Sequence, residues 1–103
     1  MNENIKKLVQ LLPEYEEKAV PRYRLALRMN MNDREMRKVI QAARDEGVCI
    51  RTGHYGGYFI DNSEAGRKAQ ARIYRAYALR MLHTASRLEK GWALDQEEME
   101  EVE

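Results

Sequence analysis

Residues 22–47 read RYRLALRMNMNDREMRKVIQAARDEG, and this stretch decides the fold. Apolar residues recur at helical spacing on both sides of a short segment at 30–32. The pattern predicts one helix over residues 21–29 and a second helix over residues 33–46. Two helices joined by so short a turn are typical of a helix-turn-helix unit.

The turn and the ends of the second helix carry specific signals. Asn30 suits the left-handed backbone of a tight turn, because asparagine tolerates positive φ better than most residues. Asn32 is the predicted N-cap, and Glu35 three residues later completes a capping box. Gly47 is the predicted C-terminal stop.

The second helix is strongly two-sided. One side is apolar, since Val39, Ile40 and Ala43 all lie within about 60° of Met36 around the helix axis. The other half is cationic and polar: Arg34, Arg37, Lys38 and Gln41, with Arg44 at its edge. Arginine and glutamine can bind base edges through two hydrogen bonds, and lysine suits phosphate. We therefore expect this helix to lie in a DNA groove, against the alternative of a solvated basic face.

A hairpin is predicted next, with strands over 48–52 and 58–60 around the glycine-rich tip GHYGG at 53–57. Residues 18–20 offer a short third strand. Such a wing can reach the neighbouring minor groove or backbone. Four residues near the tip are the candidates for that contact: Arg51, Thr52, His54 and Tyr55. The alternative is a loop that touches nothing.

Flanking helices complete the prediction. A first helix covers residues 3–12 and ends before Pro13, and a last helix covers residues 64–90, with Asp61 and Glu64 as its capping box. Two arginines at the start of the helix over 21–29 are candidate phosphate ligands together with Arg44: Arg22 and Arg24.

The last helix would be about 40 Å long, longer than a small domain needs. Its apolar stripe either pairs with a second copy in a homodimer or folds back over the first helix and the sheet as extra core. The predicted dimer interface consists of Tyr74, Tyr77, Ala78, Met81, Leu82, Ala85 and Leu88.

Charge is unevenly distributed along the chain. The 103 residues contain 18 lysines and arginines and 17 acids, and six of those acids lie in the segment 95–103. Residues 1–94 therefore carry 18 cations against 11 acids, which is typical of a protein that binds a polyanion. The acidic segment itself is expected to be disordered.

Several classes of protein are disfavoured. No apolar run approaches the ~20 residues of a membrane span, and no signal peptide is recognisable. The single cysteine, Cys49, fits a reducing cytoplasm. His54 and His83 lie far apart in sequence with no cluster of metal ligands, and no phosphate loop or nucleophile motif is present. We expect neither an enzyme nor a cofactor.

Two motifs are the most specific: Asn32-Asp33-Arg34-Glu35-Met36-Arg37 and Gly56-Gly57-Tyr58. With them, the run 18–60 resembles small winged-helix proteins of phages and prophages of Gram-positive bacteria. The resemblance implies DNA binding with residues 33–44 as recognition helix, in a regulator or a replication accessory. Two positions depart from the pattern: Asn30 replaces a turn glycine, and Leu27 replaces an exposed polar residue.

The expected protein is mainly α with a small β-hairpin wing. A winged helix-turn-helix domain over 1–62 precedes a long helix over 63–94 and an acidic tail over 95–103. Its expected function is sequence-specific binding of double-stranded DNA as a cytoplasmic transcription regulator. The alternatives are a replication or recombination accessory, which recruits a host or phage protein through the long helix, and a winged-helix module that binds proteins.

Overall fold

A computed structural model of the chain describes residues 1–92. Within them the fold is mainly helical, with a two-stranded antiparallel hairpin and a long last helix, which confirms that part of the expected class. The elements are α1 (Glu3–Leu11), a 3-10 helix (Glu16–Lys18), α2 (Arg22–Met29), α3 (Asp33–Asp45), β1 (Ile50–Thr52), β2 (Tyr58–Ile60) and α4 (Glu64–Lys90). The predicted acidic tail lies outside the described residues.

The chain divides into two compact units, Met1–Gln70 and Ala71–Glu103. The boundary falls inside α4 rather than at its start. Among the described residues, the hydrophobic core lies in the first unit. The described part of the second unit is the rest of α4 with the two residues after it.

The core forms where α1, α2 and α3 meet, with β1 against α3. Its largest fully buried side chains are Ile5, Leu8, Leu25, Met36 and Ile50. The predicted inner face of α3 is confirmed, because Met36, Ile40 and Ala43 are buried and Val39 is half-buried. Each apolar contact of this kind stabilises the fold by removing hydrocarbon surface from water.

The turn between α2 and α3 has the predicted left-handed residue, since Asn30 lies at φ 53° and ψ 50°. Its N–H donates to the carbonyl of Leu27 at 3.2 Å, and the N–H of Met31 donates to the carbonyl of Ala26 at 2.9 Å. This is the Schellman arrangement, which satisfies the free carbonyls at a helix end.

Both ends of α3 are capped as predicted. The Asn32 side chain accepts from the N–H of Glu35 at 2.8 Å and donates to the Glu35 carboxylate at 3.1 Å. The box therefore closes through the asparagine amide rather than its backbone N–H. At the other end Gly47 adopts φ 92°, and the N–H of Val48 donates to the carbonyl of Ala43 at 3.0 Å.

The cap predicted for α4 is wrong. The hydroxyl of Ser63, not the carboxylate of Asp61, accepts from the N–H of Gly66, at 3.0 Å. Asp61 instead accepts from the N–H and the hydroxyl of Ser63, at 3.1 and 2.6 Å. Asp61 thus orients the cap, and it lies so close to Gly66 that a side chain there would collide with it.

The third strand is shorter than predicted. Val20 alone pairs with Tyr58, through reciprocal backbone hydrogen bonds of 2.9 and 2.8 Å, while Lys18 belongs to the 3-10 helix. Gly57 permits this approach, because a Cβ at that position would lie 3.1 Å from the backbone of Ala19 and of Val20. In the part of the chain that the structure describes, no helix has the length and apolar character of a membrane span.

Replacing Asn30 tests the turn. Asn30→Val should lower the free energy of unfolding by about 1–2 kcal/mol, because a β-branched residue is strained at positive φ, whereas Asn30→Gly should not. Asn62→Val is the control, since Asn62 is also exposed but lies outside the positive-φ region. Urea denaturation measures all three variants, and equal stability of Asn30→Val and wild type would contradict the account.

Candidate nucleic-acid interface

The outward face of α3 collects four of the predicted DNA-binding residues. Arg34, Arg37, Lys38 and Gln41 are all exposed. Arg37, Lys38 and Gln41 lie three, four and seven residues after Arg34, which places all four in one row along the helix. The opposite face of α3 is buried in the core, so the helix cannot rotate this row away from solvent without exposing Met36 and Ile40.

Two members of the row have partners on α3 itself. The Arg37 guanidinium lies 2.9 Å from the Asp33 carboxylate, and the Gln41 amide donates to the Asp45 carboxylate at 2.9 Å. Both pairs are exposed, and exposed pairs of this kind contribute little free energy. They can therefore be exchanged for contacts to a ligand at small cost.

Arg34 and Lys38 differ from Arg37 in having no internal partner within residues 1–92. Neither has an ion pair or a side-chain hydrogen bond within residues 1–92. Within that part of the chain, nothing competes with an external anion for their charges.

Three other predicted ligands are engaged inside the chain. Arg44 donates from Nε and Nη2 to the carbonyl of Ile50, at 3.0 and 2.9 Å, and its guanidinium lies 5.8 Å from the centre of the Tyr58 ring. Arg51 lies 3.4 Å from the Asp61 carboxylate and 6.0 Å from the centre of the Phe59 ring. These contacts hold the hairpin to α3 and to the start of α4.

Arg22 is the third of them. Its Nε donates to the Asp33 carboxylate at 2.5 Å and its Nη1 donates to the Tyr58 hydroxyl at 3.2 Å. The side chain therefore ties the start of α2 to the start of α3 and to β2. Arg24 is exposed. Arg28, one turn later, is also exposed but was not among the residues predicted from the sequence to contact DNA. The position of Arg28 four residues after Arg24 could have indicated that both lie on the same face of α2.

The hairpin tip is exposed but anchored. Tyr55 is 98% exposed, and its ring meets the His54 ring edge-on at 4.8 Å between centres. The N–H of His54 donates to the Glu16 carboxylate at 2.9 Å. Glu16 and Glu17 line a pocket of about 420 Å³ beside the tip, so two carboxylates stand next to the predicted wing. Thr52 is exposed at the end of β1.

Two aspartates are acidified by their partners. The hydrogen bond from Arg22 holds the pKa of Asp33 below its ordinary value, and Arg37 adds to the effect. Hydrogen bonds from the hydroxyl and N–H of Ser63 lower the pKa of Asp61, with a smaller contribution from Arg51. Both carboxylates therefore stay ionised at neutral pH and keep their arginines oriented.

Residues 1–92 were also compared with the requirements of a metal site and of a reactive cysteine. No group of three or more histidine, cysteine, aspartate or glutamate side chains could hold a metal ion there. Cys49 is buried, and burial raises the pKa of its thiol. No protein-family model, curated protein or solved structure matches the chain.

Replacing Arg44 separates its structural contact from its charge. Arg44→Ala should lower the free energy of unfolding by about 1–3 kcal/mol, because the Ile50 carbonyl loses a charged donor. Arg44→Lys keeps the charge but not the two-pronged donor, and should lose most of the same free energy. Arg34→Ala, on the exposed row, is the control and should unfold like wild type in urea. Wild-type stability of Arg44→Ala would refute the assignment.

Acid unfolding tests the Arg22–Asp33 pair. The pKa of Asp33 is lower in the folded chain than its ordinary value of 3.8, so its stabilising contribution is complete above that pH and is lost as the pH falls below it. Asp33→Asn should therefore flatten the fall of unfolding free energy between about pH 5 and pH 2. Asp45→Asn, an exposed aspartate later in α3, is the control and should follow wild type. Parallel acid limbs for Asp33→Asn and wild type would exclude the linkage.

Proposed function

We propose that this chain binds double-stranded DNA sequence-specifically as a winged helix-turn-helix protein, and that it acts as a cytoplasmic transcription regulator of phage or prophage type. The observation that carries the proposal is the exposed row of Arg34, Arg37, Lys38 and Gln41 on a helix whose other face is buried. The order of helix, short pairing segment, two helices and hairpin supports the winged form.

In this proposal α3 enters the major groove, whose width of about 12 Å admits a helix. Arg37 and Gln41 read base edges after exchanging Asp33 and Asp45 for acceptors on the DNA. Arg34 and Lys38 contact phosphates or bases directly, since neither has a partner to displace among residues 1–92.

Supporting roles divide between contact and positioning. Arg24 and Arg28, on the exposed side of α2, contact phosphates. Arg22, Arg44 and Arg51 are positioning residues in the proposal, because each has an internal partner. The hairpin contributes Thr52, His54 and Tyr55, and the carboxylates of Glu16 and Glu17 beside the tip weaken its attraction for phosphate.

A second candidate function is supported by α2. Tyr23 and Leu27 lie one turn apart and are 63% and 76% exposed. Exposed apolar pairs of this kind suit a protein partner. In that alternative the module binds proteins, or it recruits a replication partner while bound to DNA.

Selection of bound duplexes from a random pool distinguishes these functions. A palindromic winner supports the regulator. Winners without sequence preference support the accessory role, and an absence of retained DNA at low salt supports the protein-binding module.

Substitutions in the row give a sharper test. Arg37→Ala should weaken specific binding by about 1–3 kcal/mol and leave random duplex less affected, if Arg37 reads a base. Lys38→Ala should weaken both alike and reduce the slope of log affinity against log salt by about 1, as one phosphate contact is lost. Lys7→Ala, an exposed lysine on α1, is the matched control. Mobility-shift titrations at several salt concentrations measure these effects, and losses as large for Lys7→Ala would overturn the assignment.

A further inference from the structure

The second unit displays an unusually apolar helix surface. All side chains from residue 72 to residue 90 are exposed, and none belongs to the hydrophobic core. Five large apolar members of the predicted interface are between 42% and 76% exposed: Tyr74, Tyr77, Met81, Leu82 and Leu88. A monomer rarely leaves so many large apolar groups together in water.

These side chains form a stripe with a seven-residue repeat. Its central positions occupy about 100° of the helix circumference at 100° per residue: Ala71, Tyr74, Ala78, Met81, Ala85 and Leu88. Tyr77 and Leu82 extend its two edges. Four cations lie around the opposite side, Arg72, Arg80, Arg87 and Lys90, while Arg75 lies just outside the Leu82 edge. The stripe can thus be covered without burying those four charges.

Small and large residues alternate along the stripe with two-fold symmetry. When two copies of α4 run antiparallel, Ala71 faces Leu88, Tyr74 faces Ala85, and Ala78 faces Met81. Each pairing occurs twice, and every layer contains one alanine and one large side chain. Alternation of this kind lets facing layers interdigitate at the density of a protein interior.

A parallel pair lacks this complementarity. Its layers would place alanine on alanine and then tyrosine, methionine or leucine on its own copy. The alanine layers would leave voids and the large layers would hold the helices apart, and both defects lower stability. The residue pattern therefore selects one orientation.

We propose that the chain forms a homodimer through an antiparallel pair of α4 helices, with Ala78 of each copy facing Met81 of the other across the two-fold axis. The interface is isologous, since the same residues serve on both sides. It does not depend on DNA binding.

The area available is sufficient for such a dimer. If the five large side chains each bury roughly 100 Å² of exposed surface, the two copies together bury about 1,000 Å², which is the smallest area expected of a specific interface. The alanines allow the helix axes to approach to about 8 Å, the short end of the usual range. A second copy therefore accounts for the stripe without any further partner.

Cysteine cross-linking tests the orientation directly. Ala71→Cys and Leu88→Cys are prepared as separate full-length chains of different mass, mixed, and oxidised. The proposal predicts a disulfide between the two variants and little within either one. Wild type is the control, because buried Cys49 should not cross-link. Self-linked dimers of each variant would establish a parallel pair, and an absence of cross-links would exclude the interface; either result overturns the proposal.

A matched pair of substitutions tests the surface without cysteine chemistry. Ala78→Arg and Ala76→Arg both alter exposed alanines, but only Ala78 lies on the stripe. Sedimentation equilibrium should show a dimeric wild type and Ala76→Arg, and a dissociation constant raised on the order of tenfold or more for Ala78→Arg, because a buried guanidinium lacks a partner. A monomeric wild type, or equal effects of the two substitutions, would refute the dimer.

Discussion

Burial of one face of α3 is the constraint on which the rest of the structure depends. Met36, Ile40 and Ala43 belong to the small hydrophobic core, which forms where α3 contacts α1 and α2. Their burial fixes the rotation of α3 about its axis. The exposed row then follows from helical periodicity alone, because residues three and four apart share a face. The exposure of this row is therefore a consequence of the burial of the apolar face.

Tyr58 connects this helix to the hairpin. Its backbone pairs with Val20, its hydroxyl accepts from Arg22, and its ring lies beneath the Arg44 guanidinium. Arg22 at the start of α2 and Arg44 at the end of α3 thereby both contact the Tyr58 side chain. Arginine suits such positions, since its planar group can donate hydrogen bonds and stack on a ring at once. These contacts hold the hairpin in a fixed position against α3. They involve none of the exposed cations of the row.

Local signals were enough for much of the fold. The inner face of α3, the left-handed Asn30 and the caps at Asn32 and Gly47 all follow from residue types at short spacing, and each is present in the structure. Contacts between distant residues could not be predicted in this way. Nothing near Arg44 in sequence indicates that its partner is the Ile50 carbonyl, and nothing near His54 indicates Glu16. The cap at Ser63 was missed because aspartate and serine are nearly equal as caps, and only the geometry distinguishes them.

We propose above all that the row of Arg34, Arg37, Lys38 and Gln41 on α3 binds DNA. Amide spectra of the ¹⁵N-labelled chain, recorded while a short duplex is added at low salt, test it residue by residue. The account predicts that the largest shifts fall on residues 34–41 and on Arg24, and that raising the salt reverses them. Shifts confined to Tyr23 and Leu27, or to α4, or a spectrum that the duplex leaves unchanged, would contradict it.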